Sequence, residues 1–278
     1  MSDMKNKILL YHADCPDGFG ARFAFWKKYG EEMSYLPVKH GEPPPEGLEG
    51  KEVFIADFVY PKDILLDIER RAERLVVLDH HFAMREATES VKEHVFDNDR
   101  SGAGIAWGYV HPEVPLPRLI AYVQENDLWR STLPHSREVA SYLSTIPFDL
   151  AVWDRLMAEM DDDAAFQKIV EKGTAFREYQ DHACAILAGY AEEVEFEGYR
   201  ILTVNVPRLF RSEVGHLLAD KKGPFAIVWY QTGGKKQFSI RGDGSVDCAA
   251  IAARYGGSGH HDAAGFRLPA DAPLPWKS

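Results

Sequence analysis

Three short apolar runs mark the first eighty residues, and each is followed at once by residues that can bind a cation. Ile8–Tyr11 (ILLY) runs into His12, Val53–Ala56 (VFIA) into Asp57, and Leu75–Leu78 (LVVL) into Asp79-His80-His81. A short unbroken apolar run is the signature of a strand buried on both faces, as in a parallel sheet covered by helices. The intervals between the runs support that reading. Ala21–Tyr29 predicts a helix with Gly30 at its C-terminal end, and Ser34–Val38 a weaker strand before the loop GEPPPEG. Pro61–Arg74 places Ile64, Leu65, Ile68 and Ala72 on one helical face, with the proline near its start. Strand, helix and strand therefore follow at βαβ spacing.

Beyond the third run, Val95-Phe96 predicts a short strand and Ser101 the N-cap of a helix through Val110. Pro117–Glu125 predicts another helix, ending at Asn126-Asp127. From Trp153 to Tyr190 the pattern is long, charged and helical. After Glu192 it turns to strands, at Val194–Phe196, Arg200–Val204, Phe225–Tyr230 and Gln237–Arg241. A helix at Val246–Tyr255, a glycine-rich loop and a final strand follow. The expected organisation is an α/β protein in three parts. Residues 1–150 form a parallel-sheet domain, 151–192 a helical linker, and 193–278 a smaller α/β domain.

Composition narrows the function classes. The 278 residues are 45% hydrophobic and 27% charged, ordinary for a globular chain, and no window approaches the ~20 apolar residues of a membrane helix. The polar lead into a four-residue strand is not expected to be a signal peptide. Three dispersed cysteines, Cys15, Cys184 and Cys248, suggest neither a disulfide framework nor a structural zinc site, and fit a reducing cytoplasm. A net charge of −11 argues against a protein that coats long nucleic acid. It leaves room for a small anionic substrate, because bound divalent cations reverse the local field.

The chemistry lies in four clusters at the ends of elements: His12/Asp14/Asp17, Asp57, Asp79/His80/His81, and Asp127. Open α/β sheets bind ligands at the carboxyl ends of their strands. Imidazole with several carboxylates suits Mn2+ or a similar ion, with Mg2+, Co2+ or Fe2+ as alternatives. Six such ligands exceed the needs of one ion, and an aspartate can bridge two. Two ions ~3.5–4 Å apart activate a water and stabilise both oxygens of an in-line displacement at phosphorus. Cys15 reads as a small buried residue rather than a ligand. His40, His94, His111, His135, His182 and His216 are scattered and read as surface or polar core, while Phe23, Phe25 and Trp26 read as helix core. One of Phe19, Phe58, Tyr60 and Phe82, which follow the clusters, is a candidate to stack on a base.

These motifs resemble the DHH phosphoesterase superfamily with its DHH-associated C-terminal domain, a group that includes RecJ-type exonucleases and nanoRNA or dinucleotide phosphodiesterases. The resemblance rests on His12-Ala-Asp14-Cys-Pro-Asp17-Gly18, Ile55-Ala-Asp57, Leu78-Asp79-His80-His81 and Asn126-Asp127. A fifth motif, GGxGHxxAAG, stands at Gly256–Gly265. It implies His12 and Asp14 on one metal, Asp17, His80 and Asp127 on the other, and Asp57 between them. It also implies that Asp79 orients a histidine and that His81 contacts phosphate or assists proton transfer. Arg241, Gly257, Ser258, Gly259 and His260 would hold the substrate in a cleft between the domains. Here the glycines would let backbone N–H groups converge on an anion. One departure stands out. Relatives commonly have one residue between the two aspartates of the first motif, and here Cys15-Pro16 makes two, so which carboxylate serves which metal stays open.

The expected function is hydrolysis of short linear oligonucleotides or dinucleotides, such as pGpG or pApA, to mononucleotides by two Mn2+ ions. The length leaves no room for the extra domains of long-DNA exonucleases, and a homodimer is compatible with it. The alternatives are opening of a cyclic dinucleotide, cleavage of polyphosphate or pyrophosphate, and a silent nucleotide-binding regulator.

Overall fold

The structure is a computed structural model that describes residues 5–39 and 41–276, so His40 lies outside the described residues. The chain divides into two compact units, Met1–Arg177 and Glu178–Ser278.

In the first unit five strands form a parallel sheet: β1 (Lys7–His12), β2 (Met33–Val38), β3 (Glu52–Ala56), β4 (Arg74–Asp79) and β5 (Glu93–Phe96), in the order β2-β1-β3-β4-β5. The helices are α1 (Pro16–Tyr29), α2 (Lys62–Arg71), α3 (Arg85–Thr88), α4 (Gly102–Val110), α5 (Arg118–Asp127), α6 (Ser136–Leu143), α7 (Leu150–Asp161) and α8 (Asp163–Ala188), the unit boundary falling within α8. Side chains alternate across a strand, so a strand apolar at every position feeds two cores. Leu9, Phe54, Val76 and Leu78 face one core, shared with Phe23 of α1, Ala103 of α4 and Trp153 of α7. Ile8, Leu10, Val53, Ile55 and Val77 face the other, shared with Leu65 and Ile68 of α2. Burying one side chain such as Phe23 contributes about 1.5–3 kcal/mol.

Strand order reverses at β1, whose neighbours β2 and β3 lie on opposite sides. That switch point opens a crevice at the carboxyl ends of the strands. The sheet therefore brings His12, Asp57 and Asp79-His80-His81 to one edge. Most boundaries shift from the sequence expectation by one to three residues, and two differences bear on how the chain is built. α1 begins at Pro16 rather than Ala21, because Pro16 fills the first helical position and Cys15 caps it. The charged stretch after residue 150 is two helices, α7 and α8, broken at the extended residue Asp162.

The second unit holds β6 (Glu192–Phe196), β7 (Tyr199–Asn205), α9 (Arg211–Lys221), β8 (Phe225–Thr232), β9 (Lys235–Gly242), α10 (Cys248–Ala253), β10 (Ser258–Gly259) and β11 (Ala263–Pro269). Its mixed sheet runs β10-β11-β9-β8-β7-β6, parallel between β7 and β8 and antiparallel elsewhere. Phe225, Ile227, Phe238, Ile240 and Phe266 pack one face and Ala226, Val228, Val214 and Leu218 the other. No helix among the described residues is long and apolar enough to cross a membrane.

Candidate metal centre and active site

Asp57 organises the first unit's site. It follows β3 directly, is 2% exposed, and adopts a left-handed backbone (φ 64°) with its N–H bonded to the Leu78 carbonyl. Aspartate tolerates that conformation better than most residues. Its two carboxylate oxygens face different groups. Oδ2 lies 3.4 Å from His12 Nδ1 and 3.3 Å from Cys15 Sγ. Oδ1 lies 3.3 Å from His80 Nε2. Around His80 Nε2, Asp127 Oδ2 stands at 3.6 Å and Asp17 Oδ2 at 3.7 Å.

Among the described residues, three sets of donors are thus close enough to share a cation: His12, Cys15 and Asp57; Asp57, His80 and His81; and Asp17, His80 and Asp127. Asp14, which the family resemblance implies as a ligand, is in none of them. It also has a left-handed backbone (φ 61°) and pairs with Lys39 at 2.8 Å in a largely exposed position. With two residues between the aspartates, the position facing His12 and Asp57 falls to Cys15.

Neighbouring groups hold these side chains in place. Asp17 lies in the first turn of α1 and accepts from the N–H groups of Gly102 (2.6 Å) and Ala103 (3.0 Å), where α4 begins. A helix N-terminus favours such a negative charge. Gly102 is required there, since a Cβ would come within 2.5 Å of the Asp57 Cβ. Gly18 is similarly confined, its Cβ position being 2.1 Å from the His12 carbonyl oxygen. Asp79 is fully buried and binds His81 twice, at Nδ1 (2.8 Å) and at the backbone N–H (3.1 Å). Asn98 donates to the His80 carbonyl at 3.2 Å. Asn98, Gly102 and Lys39 carried no motif signal, and their roles come from contacts far apart in sequence.

The electrostatics suit divalent cations. Burial and the charges of Asp57 and Asp127 push the Asp17 carboxyl well above its usual range, and burial with Asp57 pushes Asp127 to about 6. Burial would raise Asp57 too, but hydrogen bonds from His12 and His80 outweigh it and hold the carboxyl low. Burial would lower His81, but the Asp79 hydrogen bond and nearby carboxylates raise it to about 9. Burial and Asp57 push the Cys15 thiol up. Crowded buried carboxylates beside imidazoles are what positive ions relieve.

In the second unit, Arg241 lies near the end of β9, opposite Ala263 of β11, and donates to Ser212 Oγ at 3.0 Å. Burial and the charge of Arg211 lower its pKa, so an anion would relieve the two cations. The glycines differ from the expectation. The N–H groups of Gly256 and Gly257 donate to Ala253 and Ala252, closing the end of α10, and so do not converge on an anion. Gly259, at φ 153°, lies so close to β11 that a Cβ would be 2.4 Å from the Ala264 Cα. Ser258, Gly259 and His260 are exposed. Of the stacking candidates, Phe19, Phe58 and Tyr60 are buried, while Phe82 is 65% exposed.

The fold is that of the DHH domain. A DHH domain from a member of the s1p family of ribosomal proteins superposes with a TM-score of 0.63 at 15% identity, over 94% of this chain and 82% of that one. An exopolyphosphatase-related protein from Bacteroides fragilis gives 0.56 at 12% identity, over 97% and 88%. A structure described as a pGpG-specific phosphodiesterase, PggH from Vibrio cholerae, gives 0.51 at 10%, over 95% and 94%. Among curated proteins, an uncharacterized protein of Acanthamoeba polyphaga mimivirus, R106, is 28% identical over 285 residues, spanning 93% of this chain. The chain spans 66% of that relative's length. No protein-family model matches the chain.

Proposed function

We propose that this protein is a metal-dependent phosphodiesterase of the DHH superfamily, hydrolysing short linear oligonucleotides or dinucleotides such as pGpG to nucleoside monophosphates. The observation that carries the reading is Asp57, one oxygen turned to His12 and Cys15 and the other to His80. A carboxylate so placed suits a bridge between two cations, with His12 on one and Asp17, His80 and Asp127 on the other. Mn2+ matches the mixture of imidazole and carboxylate. Two cations held by these residues would supply an activated water and charge stabilisation at phosphorus.

The chain's own groups do the rest. Asp57 and Asp79 aim the donors, and α4 fixes Asp17. His81, partly exposed and oriented by its bond to Asp79, would donate a hydrogen bond to a phosphate oxygen and could give a proton to the leaving alkoxide. Arg241 and His260 are the phosphate-binding candidates of the second unit, and Phe82 is the base-stacking candidate of the first. The acidic balance of the chain favours a small substrate over a long strand, and its three free cysteines suit a reducing cytoplasm.

The test is incubation of purified protein and Mn2+ with linear and cyclic dinucleotides, pentanucleotides and polyphosphate, with products resolved by chromatography. Mononucleotides from linear dinucleotides support the proposal. Faster turnover of cyclic substrate, inorganic phosphate without mononucleotide, or binding without turnover would each replace it.

A further inference from the structure

We propose that Cys15, and not Asp14, completes one of the two metal positions, as a thiolate, so that this position takes a softer ion than its neighbour. The inference rests on the metal centre proposed above and adds the identity of one ligand. His12 Nδ1, Cys15 Sγ and Asp57 Oδ2 form a nearly equilateral triangle with sides of 3.2, 3.3 and 3.4 Å. A cation bound at about 2.3 Å from sulfur and about 2.0–2.2 Å from nitrogen and oxygen needs donors about 3.0–3.6 Å apart. The three atoms already lie at that spacing.

The local backbone explains why the thiol is there. Cys15 is the N-cap of α1, extended at φ −135°, with Pro16 fixing the first helical position. Its Sγ accepts the Gly18 N–H at 3.2 Å, which holds it toward the strand ends. Asp14 is committed to Lys39 on the exposed side. On metal binding the S–H proton passes to solvent as the sulfur–metal bond forms. A thiolate and the Asp57 carboxylate then carry the same charge as two carboxylates, so the exchange preserves charge and changes softness. Thiolate with imidazole favours Zn2+, Co2+ or Fe2+, whereas Asp17, His80 and Asp127 retain the harder character suited to Mn2+ or Mg2+.

Cobalt spectroscopy on the full chain separates the ligand from the centre. Visible d–d bands report Co2+ bound anywhere in the site, and a near-ultraviolet sulfur-to-cobalt charge-transfer band reports a thiolate ligand. The wild type is expected to show both. Cys15→Ser and Cys15→Asp lose the charge-transfer band and keep the d–d bands, while Asp14→Asn, Cys184→Ser and Cys248→Ser keep both. In metal analysis after competition between Zn2+ and Mn2+, Cys15→Asp shifts the occupancy ratio toward Mn2+ by at least about ten-fold. Wild-type d–d bands without charge transfer, a charge-transfer band that survives Cys15→Ser, or one lost in Asp14→Asn overturns the assignment of Cys15 and leaves the metal centre standing. Absence of any cobalt spectrum overturns both.

Discussion

At the scale of single residues, Asp57 is constrained from three sides: its left-handed backbone, its burial, and the two imidazoles its oxygens face. Asn is the informative replacement, because it keeps the shape and tolerates the same backbone, whereas Ala would add strain of its own. Asp57→Asn is expected to lower turnover at least about 100-fold and to reduce bound metal, read by metal analysis, with the circular dichroism spectrum unchanged. Gly102 is confined by the same carboxylate. In Gly102→Ala the new Cβ must displace Asp57 or the start of α4, overpacking that costs about 1–3 kcal/mol. Metal affinity, measured by titration calorimetry, should fall at least about ten-fold.

Among the elements, α1 and α4 do most to place the site, because each begins at it. α1 starts on Cys15-Pro16 and carries Asp17 in its first turn, and α4 offers the Gly102 and Ala103 N–H groups to Asp17. Ser101 caps α4 through the Gly104 N–H at 3.2 Å. Ser101→Ala should therefore cost about 1 kcal/mol. That corresponds to a Tm lower by about 2–4 °C for a unit of this size, measured by differential scanning calorimetry. Activity should fall along with it, since the end of α4 that frays is the end holding Asp17. These elements were partly legible in the sequence. The apolar runs and the Ser101 cap announced themselves, whereas α6 and α9 carried no signal the pattern reading caught, and the early start of α1 was hidden because its first turn coincides with the motif.

For the whole molecule, concentration of acid at one sheet edge predicts a stability that depends on pH and, with the proposed metal centre, on cations. Asp127 rises from 3.8 to about 6 in the folded protein, so the fold holds that proton more tightly than the unfolded chain does. Its contribution is full below about pH 4 and is lost as pH rises through about 6. In chelator, the Tm should drop across that window, Asp127→Asn should flatten the drop, and saturating Mn2+ should remove it. His81 adds a second window, its contribution full below about pH 6.5 and lost as pH rises through about 9. Hydrogen exchange offers a local check, since chelation should speed exchange around His12, Asp57 and His80 and leave β8 and β9 unchanged.

Local sequence determined the strands, their double burial and the kinds of side chain at their ends, because a four-residue apolar run and a terminal Asp-His-His are short-range patterns. Only the tertiary structure decided which donors meet. The 2-1-3-4-5 strand order sets the ends of β1, β3 and β4 side by side, and α4 and α5 bring Gly102 and Asp127 to the same edge. That Cys15 rather than Asp14 faces His12 and Asp57 belongs to that second category. Spacing counts residues, but a left-handed turn and a helix starting at Pro16 determine which of them points inward.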